Sequence, residues 1–488
     1  MKRLPLLFIP TLLLLLPAGA ISQSHPIHSP NFIFIFADDM AFETIAAHGK
    51  TDIDTPHLDR LLSKSTRFTR AYNMGAWNGA VCIASRTMLL TGRTVWNAYA
   101  IDNKDDMHLQ GANGQTWPQW LKQAGYRTYM SGKWHIKNDP HNLFDVVRDM
   151  RPGMPQDVQA GYNRPQSPEH YATGWKPWDP VHGGFWEGGT HWSEVLANHG
   201  VDFINEAAVR PEPFFMYLAF NAPHDPRQAP KSFIDRYPLD RIDIPKSFMP
   251  RYPYAEQIEC GSDLRDEQLA PFPRTEYAIK VNRQEYYALV THMDEQIGRI
   301  LDAIETSGKA DSTYIIFTAD HGLAVGHHGF LGKQSLYEHS TQVPFLISGP
   351  NIKENQAIEE PIYLQDVLPT TLDLAGLKKP ETIEFKSLVP LIEEKETPHY
   401  RAIYGGYKGT QRSITQHNWK LIHYPSAHVY RLYNLSEDPL EMNDLAPHPA
   451  KASRLKTMQE ALIQLSEELN DPLDYSAPEA SWNHVSAK

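Results

Sequence analysis

Asn31-Phe32-Ile33-Phe34-Ile35-Phe36-Ala37-Asp38-Asp39 is the stretch on which the reading of this chain turns. Within it, the run Phe32 to Phe36 of aromatic and β-branched residues reads as a buried strand. Similar runs lie at Thr128 to Met130, Phe214 to Phe220, Thr313 to Thr318 and Phe345 to Ile347. Helical patterns alternate with them, at Pro56 to Lys64, Gln115 to Gln123, Glu285 to Glu305 and Leu364 to Leu374. Strands alternating with helices predict an α/β fold around a large, mostly parallel or mixed central sheet flanked by helices.

Polar residues crowd just beyond these strands. Asp38 and Asp39 follow the first, Lys133 and His135 the second, Asn221 and His224 the third, Asp320 and His321 the fourth. Ligands of open α/β sheets bind beyond the carboxyl ends of strands, so these four ends point to one shared site. Two adjacent carboxylates repel unless a cation lies between them. Asp38 and Asp39 alone also suit a helix N-terminus. Asp320-His321-Gly322 repeats the arrangement, and the two together favour an oxygen-rich divalent site for calcium or magnesium.

The chain has 488 residues, 41% of them hydrophobic, enough for a large core and more than one domain. Its formal charge of −12 argues against nucleic acid as partner, and an anionic substrate needs a local cluster of cations and metal. Residues 1–20 read as a secretory signal peptide. Lys2 and Arg3 precede an apolar run from Leu6 to Leu16, and Ala18-Gly19-Ala20 offers a cleavage site. That run is shorter than the ~20 residues of a membrane span, so no span is expected after cleavage and the expected location is secreted or periplasmic. Only Cys82 and Cys260 meet the oxidising compartment, too few for a disulfide framework, although one bridge between them is open.

Residues 21–376 are expected to form the catalytic domain, and 377–488 a C-terminal α+β subdomain. In the latter, Ala402 to Tyr407, Arg412 to Thr415, Trp419 to Tyr424 and Tyr430 to Asn434 suggest a small antiparallel sheet, with a terminal helix over Lys451 to Leu469. His141 to Asn198, rich in Trp, Gly, Pro and Tyr, reads as long ordered loops lining a cleft, and Pro238 to Pro273 as a Pro-rich insertion. Tyr162, Tyr171, Trp175, Trp178, Trp186 and Trp192 suit stacking on sugar rings, or an aromatic core beneath the loops.

Cys82-Ile83-Ala84-Ser85-Arg86 precedes Leu90-Thr91-Gly92-Arg93. As bare chemistry, Cys82 is a buried thiol or a thiolate nucleophile activated by cations. The segment resembles the signature of the formylglycine-dependent sulfatases: Cys, any residue, Pro or Ala, Ser, any residue or Arg, then Thr-Gly-Arg. The resemblance covers nearly the whole mature chain. Asn31 to Asp39 looks like the family's opening strand and metal pair. Thr55 to Asp59 and Phe68 to Tyr72 look like its connecting elements, and Gly132-Lys133-Trp134-His135 and Ala222-Pro223-His224 like its next motifs. Asp320-His321-Gly322 with Lys333, and Tyr433-Asn434-Leu435 with Asp438, Pro439 and Glu441, complete the order. Ala84 stands in place of the commoner Pro, and His321 where many members carry Asn.

The resemblance implies an alkaline-phosphatase-like fold and a sulfatase, with Cys82 oxidised to an aldehyde by a formylglycine-generating maturation enzyme. It implies one calcium ion held by Asp38, Asp39, Asp320, His321 and the modified Cys82. Arg86 and Lys133 would hold the aldehyde hydrate. Lys333 and His224 would grip the sulfate, one of them protonating the leaving oxygen. His135 would take the proton of the second hydroxyl as the sulfated intermediate collapses by elimination. The expected substrate is a sulfated carbohydrate. A phosphatase or phosphonate hydrolase of the same superfamily and an unmatured carbohydrate-binding pseudoenzyme are the competing readings.

Overall fold

The computed structural model describes residues 29–103, 110–111, 113–156, 158–169, 174–395, 398–475 and 481–482. The expected signal peptide and Tyr171 lie outside them. β1 (Asn31–Ala37) is buried along its whole length. It runs through an eight-stranded sheet with β2 (Thr66–Phe68), β3 (Arg127–Lys133), β4 (Val146–Arg151), β5 (Phe214–Ala219), β6 (Thr313–Ala319), β7 (Phe345–Ser348) and β8 (Gln356–Ile358). The spatial order is β8-β2-β7-β6-β1-β5-β3-β4.

β1 pairs in parallel with β5 and β6, and β3 in parallel with β5 and β4. β7 is antiparallel to both its neighbours, which makes the sheet mixed. The register matters for function. Ala37 lies opposite Ala319, Phe36 opposite Ala219, and Gly132 opposite Ala219. Asp38, Lys133 and Asp320 therefore leave the sheet at one level.

α1 (Val81–Thr91) packs against the helix Trp117–Gln123, while α2 (Trp192–Ala208) packs on α3 (Glu276–Thr306) and on β5 and β3. The aromatic strands fill the space beneath. Trp117 is fully buried against Phe34 and Phe215, with ring centroids 5.0 and 4.9 Å away.

A smaller sheet follows in the C-terminal part: β9 (Ile403–Tyr407), β10 (Gln411–Gln416), β11 (Trp419–Tyr424) and β12 (Val429–Asn434), antiparallel in sequence order. α4 (Ala452–Glu468) packs on it. The sheet has a fifth strand that the antiparallel reading lacks. Gly75–Ala76 pairs in parallel with Gly406–Tyr407. Gly75 has φ 109°, and a Cβ there would sit 1.9 Å from the Gly406 carbonyl oxygen, so only glycine permits this approach.

His141 to Asn198 is less loop-like than its composition suggests. It contains β4 and the start of α2. Cys82 and Cys260 are both free and buried, and the open possibility of a bridge between them is not realised.

Candidate active site

α1 carries Cys82 as its second residue, and the cap residue Ala80 makes no side-chain hydrogen bond. The thiol thus sits at the positive end of a helix dipole. One turn on, Arg86 is fully buried. Its Nε donates to Asp320 Oδ2 at 3.0 Å, its Nη1 to the Lys133 carbonyl at 3.1 Å, and its guanidinium lies 4.6 Å from the Phe36 ring centroid. Arg86 is a buried strut tying α1 to the ends of β3 and β6.

The strand ends supply the remaining charges. Lys133 Nζ meets Asp38 Oδ2 at 2.5 Å. The Asp39 amide donates to Asp320 Oδ1 at 3.2 Å. Lys333 enters from the loop after β6 and donates to both Asp39 oxygens at 2.9 Å. The same Nζ lies 3.5 Å from Cys82 Sγ and 3.0 Å from His224 Nε2. His321 Nδ1 donates to the Gly322 carbonyl at 2.9 Å. Its Nε2 is thereby turned inward, 3.0 Å from Asp39 Oδ1 and 3.4 Å from Cys82 Sγ.

These neighbours redistribute protons. Burial alone would raise the Cys82 thiol, but Lys133, Lys333 and His321 hold it well below the usual range. Burial opposes ionisation of Asp39 as well, yet His224, Lys333 and His321 keep it well below an ordinary carboxylate. Asp38 goes the other way, since burial and the nearby Asp320 outweigh Lys133 and raise it well above the usual value. His321 is raised by Asp320 and Asp39 against its burial. His135 is lowered, chiefly by burial.

Asp38, Asp39, Cys82 and His321 offer ligand atoms all within 4.8 Å of one another. Asp38 Oδ1 is buried and has no hydrogen-bond partner. Asp38 and Asp39 supply the oxygens of this donor set, and a divalent cation there would satisfy the orphaned Asp38 oxygen.

His135 adopts φ 55° and is half-buried beside Cys82. Gly153 packs on its ring; a Cβ there would lie 2.3 Å from His135 Cε1. His224 is buried, and its Nδ1 donates to the Asp225 carbonyl at 2.8 Å.

All ten residues expected from the sequence, Asp38, Asp39, Cys82, Arg86, Lys133, His135, His224, Asp320, His321 and Lys333, line this one cluster. Sequence reasoning missed Asp225, Arg265 and Asp266. Asp225 bonds Arg265 through both carboxylate oxygens and lies 3.3 Å from His224 Nδ1. Asp266 lies 3.8 Å from Lys333 Nζ. Asp225 stands next to His224 in sequence and could have been singled out; Arg265 and Asp266, inside a Pro-rich insertion, gave no signal. The aromatic loop residues divide. Trp175 and Trp192 are buried, and Trp175 Nε1 donates to Glu285 at 3.0 Å, so these two belong to a loop core. Tyr162, Trp178 and Trp186 remain partly exposed.

The sequence matches the sulfatase family model over residues 30–377 and an N-sulphoglucosamine sulphohydrolase C-terminal model over residues 326–468. It is 27% identical to an N-acetylglucosamine-6-O-sulfatase of Bacteroides thetaiotaomicron, over 94% of this chain and 91% of that protein. Two solved structures share the fold. One is a complex with its substrate D-glucosamine-2-N,6-O-disulfate (TM-score 0.71, 23% identity, 91% of this chain and 98% of that one). The other is a phosphonate monoester hydrolase from Silicibacter pomeroyi (TM-score 0.71, 18% identity, 93% and 99%).

Proposed function

This chain belongs to the sulfatase family of sulfuric ester hydrolases, and we propose that it hydrolyses sulfate esters of a carbohydrate through a formylglycine made from Cys82. The observation that carries this reading is the setting of Cys82. It is buried at a helix N-terminus, with Lys333 Nζ at 3.5 Å and His321 Nε2 at 3.4 Å. The sulfated-sugar substrate class draws support from the glucosamine-sulfate chemistry named for the relatives.

A sulfate monoester needs its oxygens neutralised, a nucleophile supplied and its leaving oxygen protonated. The hydrated aldehyde of a matured Cys82 supplies one hydroxyl to attack and a second whose proton opens an exit. Asp38, Asp39, Asp320, His321 and the modified Cys82 would hold a calcium ion, which would supply charge stabilisation and favour ionisation of the attacking hydroxyl. Lys133 and Arg86 fix the nucleophile from the sheet side. Lys333 and His224 bind the sulfate and stand where the leaving oxygen departs. His135, held neutral by burial, takes the proton from the second hydroxyl. These residues all precede Gly376, which we take as the end of the catalytic domain, with residues 377–488 as its C-terminal partner.

Among the described residues no helix is long and apolar enough to cross a membrane. With residues 1–20 read as a cleaved leader, the enzyme works in the periplasm or outside the cell and depends on a formylglycine-generating enzyme for maturation.

The second reading, a phosphonate or phosphate ester hydrolase, is favoured by the shared fold of the phosphonate hydrolase. A two-metal phosphatase fits less well, because Lys333 Nζ already stands as a fixed cation between Asp39 and His224. The deciding experiment compares release of sulfate, phosphate and phosphonate from matched aryl esters, then sulfate release from a panel of sulfated oligosaccharides. Faster phosphonate turnover would replace the sulfatase reading, and activity confined to small aryl sulfates would remove the carbohydrate.

A further inference from the structure

Asp225 is 4% exposed and its carboxylate faces four donors. Arg265 bonds both oxygens, through Nη1 to Oδ2 and through Nη2 to Oδ1 at 3.3 Å. Tyr162 Oη lies 3.4 Å from Oδ2, and Arg265 Nη1 also donates to that hydroxyl at 2.9 Å. The fourth donor is His224 Nδ1, 3.3 Å from Oδ1 and 2.8 Å from the backbone carbonyl of the same Asp225. Two acceptors on one residue therefore claim Nδ1, and neither can donate to it. Nδ1 thus carries an N–H, and because a lysine ammonium can only donate, Nε2 presents it a lone pair. That lone pair faces Lys333 Nζ at 3.0 Å. Lys333 is itself held by Asp39 at 2.9 Å and faces Asp266 at 3.8 Å.

We propose that Asp225 is a positioning residue for departure of the leaving group, which locks His224 so that Nε2 accepts from the Lys333 ammonium and holds it facing the ester oxygen. This rests on the sulfatase reading and deepens it. As the S–O bond breaks, its electron pair stays on the leaving oxygen. A proton of the Lys333 ammonium passes to that oxygen as its N–H bond opens, leaving the neutral amine hydrogen-bonded to His224, and the alcohol departs. Arg265 neutralises the Asp225 carboxylate and, with Tyr162, fixes its angle, so Asp225 acts on the imidazole by orientation and does not touch the substrate.

The test uses the matured full-length enzyme with two esters: 4-nitrophenyl sulfate, whose phenolate leaves without help, and a sugar sulfate, whose alkoxide must be protonated. Proton donation contributes about 10²–10⁴-fold when the leaving group is poor. Asp225→Asn and Asp225→Glu, each checked for cooperative melting, should lose kcat on the sugar sulfate roughly ten- to a hundredfold more than on the aryl sulfate, with KM changed by less than about threefold. Glu, which keeps the charge, should lose less than Asn. Equal losses on both esters in whichever variant folds, or an effect confined to KM, would overturn the positioning role while leaving the sulfatase reading in place. If the wild-type enzyme turned over neither ester, the reading and the proposal would fall together.

Discussion

Lys133 Nζ and Asp38 Oδ2 lie 2.5 Å apart, and neither side chain is exposed to solvent. The pair joins the ends of β3 and β1, two strands separated in the sheet by β5. At this depth each side chain gives the other its direct opposite charge, and the second Asp38 oxygen has no hydrogen-bond partner. Removing the lysine by Lys133→Met should cost about 3–5 kcal/mol in unfolding free energy without divalent ion, because Asp38 is left buried and alone. Added calcium should restore part of that loss. Chemical denaturation with and without calcium measures both terms, and an unchanged midpoint would show that the pair bears no such burden.

Calcium should also stabilise the wild-type protein by mass action, by about 2.7 kcal/mol at a hundredfold excess over its dissociation constant. Asp38→Asn and Asp320→Asn should abolish the calcium-dependent rise in melting temperature. A rise that persists in both variants would place the ion elsewhere.

The tryptic peptide Ala71 to Arg86, from protein made in the native host, should be lighter than its cysteine form by the replacement of a thiol with an aldehyde. Cys82→Ala should abolish sulfate release. Mass spectrometry showing intact cysteine in active native protein would end the formylglycine assignment.

Gly153→Ala should lower kcat at least about tenfold, since its Cβ would meet the His135 ring at 2.3 Å and push the imidazole off Cys82. Substrate KM should hardly move. Steady-state kinetics on an aryl sulfate decides it, and full activity would mean that His135 has room to yield.

Asp294 gives a pH prediction away from the site. It is buried and accepts the His57 and Leu58 amides at the start of the helix Pro56–Ser63, at 3.1 and 2.7 Å. Burial lifts its pKa from 3.8 to about 7. A carboxyl raised on folding contributes stability that is complete below its unfolded pKa and is lost as pH rises through the folded one. Relative to Asp294→Asn, the wild type should therefore lose up to about 1.4 kcal/mol per pH unit between pH 3.8 and about 7. Unfolding free energies across that range test the slope, and parallel curves for the two proteins would refute it.

The sequence exposed the parts of this molecule that depend on local pattern. Asn31 to Asp39 reads as a buried strand ending in an acidic pair because burial on both faces and the two carboxylates are both written in consecutive residues. β4 escaped the same reading. As the last strand on its side of the sheet, with half-exposed and exposed positions filled by Arg148, Asp149 and Arg151, it carries no apolar run. The pairing of Gly75–Ala76 with β9 was equally hidden, since two residues have no period and their partner lies more than 300 positions away. In the site, the motif residues were legible one by one, but Arg265 and Asp266 act through contacts that only the folded chain creates.

The short Gly75–Ala76 strand sets a clock on biogenesis. It lies six residues ahead of Cys82 and is clasped by Tyr407, which leaves the ribosome more than 300 residues later. In the finished protein the thiol is 1% exposed. An enzyme that oxidises Cys82 would have to reach it before the chain folds around it, and the pairing of Gly75–Ala76 cannot form until Tyr407 has been made.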